Sequence, residues 1–330
     1  MEEIGEASVF SRSQDRISQQ LRGGRLSSLE PTRLLVLCDP GQDLDDELAL
    51  TLLAVLRKWM LVEVLGVVAT LGPAAARASL ARGTLDELGM HDVPVGVGSD
   101  GGGTGTSELC AEVPYMGGAV QLDGQELMTS ALRAAPDASV TFLVIASHRD
   151  LARLMESREE LFRAKISSVV SMGGVCPVTS AGERLRPDTA HNNLFDLAST
   201  EYAFAACQRW RIPLVVVSRF AAYQCQMPRS LYDRMAASGA RIGKHLQRVQ
   251  RLSIEKLWQR ACAPEGAPER QGLPARCDRA WFLATFCSRA AGEGASARGV
   301  QGARKGEDAR AREGEGGSTR EGARAAICHG

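Results

Sequence analysis

The feature that most limits how this chain can fold is a repeated alternation of short apolar runs with longer helical patterns. The apolar runs are nearly continuous in Val, Ile and Leu, which is typical of strands buried on both faces of a sheet. Each helical segment between them can return the chain to start a parallel strand. The pattern therefore predicts an α/β fold with a doubly wound, mostly parallel sheet and helices on both faces. The predicted strands are 34–38, 61–70, 93–98, 139–147, 166–172 and 212–218, and the predicted helices are about 43–58, 73–90, 121–135, 149–158 and 197–209.

The two ends of the chain differ from this middle part. Residues 1–30 are polar, and residues 289–330 consist mainly of Gly, Ala, Arg and Glu, with Val300 and Ile327 as the large aliphatic residues. A segment with so little apolar surface cannot offset the loss of chain entropy on folding. We therefore predict a flexible segment over 1–30, one α/β domain over 31–288 and a disordered tail over 289–330.

Charge and composition argue against several partners and locations. The 330 residues include 39 Lys and Arg against 39 Asp and Glu, so there is no cationic excess for nucleic acid or a membrane surface. We expect no signal peptide and no membrane span, because neither type of apolar stretch is present. The nine cysteines are irregularly spaced without a CxxC pair, which is typical of a reducing compartment. A cytoplasmic protein is therefore expected.

The most informative motif follows the first predicted strand. The segment from Asp39 to Glu47 reads DPGQDLDDE and holds five acidic residues in nine positions. In a doubly wound sheet, ligands bind outside the carboxyl ends of the strands. The Pro-Gly pair turns the chain, and a helix from about Asp43 would place Asp43 and Asp46 on one face near Asp39. Carboxylates grouped in this way indicate a hard cation, Ca²⁺ or Mg²⁺.

Two other interpretations of the acidic cluster have to be weighed. An Asp can cap a helix, and acids in a first turn stabilise the helix dipole, which explains any single acid here well. Capping needs one or two acids, however, and not five. A phosphatase nucleophile motif also follows a first strand, but it requires a second Asp two residues after the first, where this chain has Gly41. The cluster as a whole favours a cation site.

Together with later motifs, this cluster resembles the inosine/uridine-preferring nucleoside hydrolase family. The hallmark of that family is a first strand that ends in Asp-Pro-Gly and is followed by an Asp-Asp pair. The similarity continues through the strand, helix and strand between 61 and 98, through FLVIA at 142–146 and through SMGGV at 171–175. Asn192 and Asp196 keep the family's spacing before the next helix. The resemblance covers the whole predicted domain.

The resemblance implies a Ca²⁺-dependent hydrolase that cleaves the N-glycosidic bond of nucleosides or related N-ribosides, as in purine or pyrimidine salvage, and it is compatible with a homo-oligomer. It implies that Asp39 is the general base acting on a metal-bound water. Such cleavage passes through an oxocarbenium-like cation, so it needs anionic stabilisation and an activated water. The implied metal ligands are Asp39, Asp46, the backbone carbonyl near Ala146, and Asp278. The implied substrate contacts are Asp43 or Asp45, together with Asn192.

Three positions depart from the family pattern. Ala190 stands where the family commonly has a Glu that holds the sugar, and residues 70–72 lack the usual Asn after the second strand. Cys277 stands where a His often precedes the late Asp, which removes a group that could protonate the leaving base. His148 and His191 lie close to predicted strand ends and are candidates for that acid, although a lone histidine is more often a structural or surface residue.

These departures leave a second functional class open. Intact Asp39, Asp46 and Asp278 favour an enzyme. Ala190 and Cys277 instead favour a noncatalytic protein that keeps the fold and binds a ligand or a metal.

Overall fold

The computed structural model describes most of the predicted domain. The predicted tail, and the predicted N-terminal segment apart from Glu30, lie outside the described residues. The chain divides into two compact units, Met1–Leu252 and Ser253–Gly330. The described residues are 30–41, 44–101, 113, 115–178, 180, 182–218, 221–222, 227–270, 273 and 275–287.

The first unit contains a six-stranded sheet in which every pair of neighbouring strands is parallel, with the order β3-β2-β1-β4-β5-β6. The chain therefore builds outward from β1 in one direction and from β4 in the other. This reversal between β1 and β4 is where a doubly wound sheet opens a crevice for ligands. The strands are β1 Thr32–Cys38, β2 Val62–Ala69, β3 Val95–Val97, β4 Val140–Val144, β5 Ile166–Met172 and β6 Leu214–Val217.

Helices cover both faces of this sheet, as the sequence predicts. They are α1 Asp45–Lys58, α2 Ala74–Glu87, α3 Gly124–Ala134, α4 Arg149–Ser157, α5 Glu159–Lys165, α6 His191–Leu194, α7 Leu197–Trp210, α8 Arg229–Ala237 and α9 Arg241–Cys262. The second unit begins within α9, at Ser253, and contains α10 Arg279–Phe282, which is followed by a π-helical turn, Leu283–Cys287. None of the helices in the described part of the chain combines the length and apolar character that a membrane crossing requires.

The central strand β1 shows why the apolar runs are nearly continuous. Leu35 and Leu37 belong to one buried cluster, which also takes in side chains of α3, α4 and α7. Leu34 and Val36 belong to a second cluster on the opposite face, which includes side chains of α1 and α2. Successive side chains of a strand point to opposite faces, so a strand covered on both sides must be apolar at every position.

The bounds of several elements differ from the prediction by a few residues, as α1 and β3 illustrate. Helix α1 begins at Asp45, after the predicted start near Asp43, with Leu44 in the cap position and no side-chain cap. Strand β3 spans only Val95–Val97 within the predicted 93–98; it lies at an edge of the sheet and pairs with β2. Neither difference moves the acidic cluster away from the carboxyl end of β1.

Candidate active site

The site lies at the carboxyl ends of β1 and β4, where the strand order reverses. The β1–β4 register pairs Leu37 with Val144. Continuing this register by two residues brings the ends of the two strands to Asp39 and Ala146. Ala146 is fully buried. The structure thus places the predicted base and the predicted backbone ligand on adjacent strand ends.

Asp39 and Asp46 form a buried pair. The backbone N–H of Asp39 donates to Oδ1 of Asp46 at 3.2 Å, and the two residues are 7% and 4% exposed. Burial raises the pKa of the Asp39 carboxyl to about 7; Arg77 counteracts this rise, and the neighbouring charge of Asp45 adds to it. Carboxylates withdrawn from water in this way are stabilised by a nearby positive charge.

Helix capping does not account for Asp46. The cap position of α1 is occupied by Leu44, and the carboxylate of Asp46 instead bonds back to the end of β1. Asp45 is exposed at the first position of α1, where a dipole interaction remains available to it. Asp43 lies outside the described residues, so its predicted contact with ribose stays a prediction.

The donors at this site are of the kind that Ca²⁺ takes, namely carboxylate and backbone oxygens. Within the described ranges, no group of three or more His, Cys, Asp or Glu side chains is arranged to hold a metal ion. Asp39, Asp46 and the Ala146 carbonyl would therefore need further oxygen ligands to complete a Ca²⁺ site. In the second unit, Asp278 caps α10 by accepting a hydrogen bond from the Trp281 N–H at 2.8 Å, and its predicted role as a ligand stays a prediction.

Asn192 ties two strand ends together. Its side-chain amide donates to the carbonyl of Ile145 at 2.9 Å and to that of Met172 at 3.4 Å, which bridges the ends of β4 and β5. Both amide hydrogens are thereby used, so the predicted contact of Asn192 with substrate would have to use its Oδ1.

The two glycines after Met172 allow close packing beside this bridge. A Cβ on Gly173 would meet Oδ1 of Asn193 at 2.6 Å, and one on Gly174 would overlap the carboxylate of Asp188. The Met-Gly-Gly motif therefore lets α6 approach the end of β5.

His148 is a structural residue, which removes it as a candidate acid. It is 1% exposed, with Nε2 at 2.8 Å from the Ser171 hydroxyl and Nδ1 at 3.3 Å from the Thr200 hydroxyl. Burial lowers the pKa of His148 to about 4, so the ring is neutral at neutral pH. His191 is exposed at the start of α6 with its ring against Phe195, and of the two histidines it remains the candidate.

Arg77 is a component of the site that the sequence analysis missed. This residue of α2 is fully buried, and its Nη1 donates to the carbonyls of Asp39 at 2.7 Å and Pro40 at 2.8 Å. The sequence did contain one indication that Arg77 is buried. Its helical spacing places it on the same face of α2 as Ala81 and Thr84, which are both buried. A charged residue in such a pattern is normally expected to be exposed.

Asp150 was also missed, and it explains one departure from the family pattern. This buried residue of α4 accepts hydrogen bonds from the Thr70 hydroxyl at 2.7 Å and from the N–H and hydroxyl of Ser99 at 2.9 and 2.8 Å. The residues after β2 and β3 are thereby held to the start of α4. Thr70, which follows β2 where the family pattern has Asn nearby, thus has a structural use.

Comparisons with known proteins bear on the family and the fold of this chain. The inosine-uridine preferring nucleoside hydrolase model matches residues 34–275. Comparison with curated proteins gave no match. Two solved effector structures are similar at a TM-score of 0.73: effector protein XOO4466, which is 30% identical, and type III effector protein XopQ complexed with adenosine diphosphate ribose, which is 31% identical. Each alignment covers 83% of this chain and 78% of the other.

A third solved structure supports the fold alone. The purine-preferring ribonucleoside hydrolase from Gardnerella vaginalis is 16% identical with a TM-score of 0.54, and the match covers 68% of this chain and 72% of that one. The acidic motif after β1, the parallel sheet and the match over residues 34–275 lead to one conclusion. The chain belongs to the inosine-uridine preferring nucleoside hydrolase family.

Proposed function

We propose that this protein is a Ca²⁺-dependent hydrolase of the N-glycosidic bond in nucleosides or related N-ribosides. The observation that carries the proposal is the buried Asp39–Asp46 pair at the point where the strand order reverses. Family membership supports N-glycosidic hydrolysis in general terms. The cation and the assignment of Asp39 as base are our additions to that general statement.

In this proposal, each residue of the site has a separate role in the hydrolysis. Asp39 accepts a proton from the attacking water, and Asp46 holds the Asp39 backbone through the N–H bond. The negative charge of the pair stabilises the oxocarbenium-like transition state. When bound, Ca²⁺ supplies positive charge that favours deprotonation of the water. Asn192 keeps the ends of β4 and β5 together beside the pair.

A second candidate function is ligand binding without turnover. A neighbour 31% identical to this chain was solved with adenosine diphosphate ribose, and both effector neighbours share more identity with this chain than the ribonucleoside hydrolase does. The family's sugar-holding Glu is replaced by Ala190, and His148 cannot serve as an acid. At the same edge of the sheet, Arg149 is partly exposed beside Asp196 and presents a cation that could pair with a diphosphate.

A substrate panel separates the two functions. Inosine, uridine and an activated p-nitrophenyl riboside would be assayed for ribose release, and adenosine diphosphate ribose for adenine release, each with Ca²⁺ and with EDTA. We expect the p-nitrophenyl riboside to be cleaved much faster than inosine, because its leaving group departs without the acid that Cys277 replaces. Calorimetric binding of adenosine diphosphate ribose with no cleavage of any riboside would instead establish the binding protein.

Calcium binding is a separate prediction. Because Ca²⁺ would bind only the folded chain, a concentration of 100 Kd should raise the free energy of unfolding by about 2.7 kcal/mol. Isothermal titration calorimetry and thermal unfolding in Ca²⁺ or EDTA measure this effect. Asp46→Asn, which removes one ligand charge, should weaken the binding. No heat of binding in the wild-type protein, together with an unchanged melting temperature, would contradict the prediction.

A further inference from the structure

A fully buried arginine, Arg77, contacts the turn that carries Asp39, and a buried arginine in such a place is unusual. Arg77 is fully buried on α2, and its guanidinium holds the Asp39 and Pro40 carbonyls at 2.7 and 2.8 Å. Longer bonds of 3.4 Å from Nε and Nη2 reach the carbonyl of Gly72, after β2. The side chain therefore braces the turn that carries Asp39 against the segment that follows β2.

Hydrogen bonds to carbonyl groups satisfy the donors of an arginine but do not neutralise its charge. A cation withdrawn from water is costly unless negative charge lies nearby. Two buried acids lie at this site: Asp39, whose carbonyl the guanidinium contacts, and Asp46, which is hydrogen-bonded to the Asp39 N–H.

The backbone of Asp39 contacts both an anionic and a cationic side chain. The carboxylate of Asp46 accepts from the Asp39 N–H at 3.2 Å, while the guanidinium of Arg77 donates to the Asp39 C=O at 2.7 Å. The same residue is thus held by an anion through its N–H and by a cation through its C=O. The positive charge of Arg77 also counteracts the rise in the pKa of Asp39 that burial causes.

We propose that Arg77 is a positioning residue and an internal counter-charge that keeps Asp39 and Asp46 together when no cation is bound. This proposal rests on the proposed function in treating the carboxylate pair as the reaction site. It implies that the site is already assembled in the cation-free protein. The competing explanation is that Arg77 acts only as a hydrogen-bonding brace for the turn.

A double-mutant cycle measured in EDTA, without substrate, distinguishes charge from bracing. Arg77→Met keeps most of the side-chain volume and removes the charge, and should lower the melting temperature by about 10 °C. Adding Asp46→Asn removes the charge of one buried acid that Arg77 would otherwise balance, and it should recover about half of that loss. In the wild-type background, Asp46→Asn should not raise the melting temperature. Asp137→Asn, at an exposed position before β4, is the matched control and should recover nothing.

Arg77→Lys keeps the charge but loses the planar fork, so it should remain closer to the wild type than Arg77→Met does. It also serves as the test if Arg77→Met does not fold. An equal fall in melting temperature in Arg77→Lys and Arg77→Met would contradict the counter-charge role. So would the absence of any recovery of the melting temperature by Asp46→Asn. Either result would show that Arg77 acts only through its hydrogen bonds to the turn.

The effect of Ca²⁺ on the melting temperature tests the counter-charge role of Arg77 independently. If Arg77 supplies part of the positive charge that the pair requires, Ca²⁺ should raise the melting temperature of Arg77→Met more than that of the wild type. A smaller increase in Arg77→Met would contradict the counter-charge. If Ca²⁺ has no effect on either protein, the proposed cation fails, and the cycle in EDTA still decides the role of Arg77.

Discussion

Asp39→Asn is expected to lower the turnover of an N-riboside by at least about 10²-fold, which is typical of losing a general base. The change keeps the shape of the side chain and removes its charge and proton affinity. The backbone N–H and C=O of Asp39, which contact Asp46 and Arg77, remain in place. The variant should therefore fold, and the loss should appear in kcat.

The measurement for Asp39→Asn is a steady-state assay on the best nucleoside substrate of the panel, together with circular dichroism and a melting curve. Asp92→Asn is a suitable control, because this exposed acid pairs with Arg57 at the surface. Its turnover should equal that of the wild type. Near-normal turnover of a well-folded Asp39→Asn protein would refute the assignment of Asp39 as base.

The second large effect concerns His148 and the stability of the fold in acid. Burial lowers the pKa of His148 to about 4, against 6.5 for the unperturbed side chain. Between these values the unfolded chain binds a proton that the folded chain does not, so the free energy of unfolding falls as the pH falls. The contribution is fully present above pH 6.5 and decreases by about 3 kcal/mol by pH 4.

His148→Gln tests this contribution because glutamine does not titrate and can still hydrogen-bond with Ser171. The wild type should be the more stable protein at pH 7, and its advantage should shrink by about 3 kcal/mol at pH 4. Urea unfolding at the two pH values measures this difference. Acidic groups with raised pKa values, such as Asp39, act in the opposite direction but occur in both proteins and cancel. An advantage that is independent of pH would show that His148 does not titrate as proposed.

Much of the fold was predictable because its signal is local. A strand such as β1, covered on both faces, must be apolar at every position, and this requirement is visible without any tertiary information. The place of the site was predictable for a related reason, since parallel strands present their carboxyl ends at one edge and the acids follow β1 directly. Family resemblance then suggested the chemistry that we propose for Asp39 and Asp46.

The roles of individual polar side chains were less predictable. His148 was a candidate acid because it follows β4 in the chain, but its ring meets Ser171 and Thr200, which β5 and α7 bring to it. Its burial, and hence its lowered pKa, follows from this packing of distant segments. The sequence distance of 52 residues to Thr200 leaves no local pattern to detect.

By itself, the sequence determined the order of the six strands, the acidic turn at the end of β1 and membership of the hydrolase family, because each depends on residues close together in the chain or on a recognisable motif. Only the tertiary structure decided that the guanidinium of Arg77 donates to the carbonyl of Asp39, although the two residues are 38 positions apart in the sequence. Helical periodicity places Arg77 on a buried face but cannot say which carbonyls or carboxylates lie opposite. The positive charge that lies beside the acidic residues of the site depends on this contact, because electrostatic interactions depend on distance in space and not on distance along the chain.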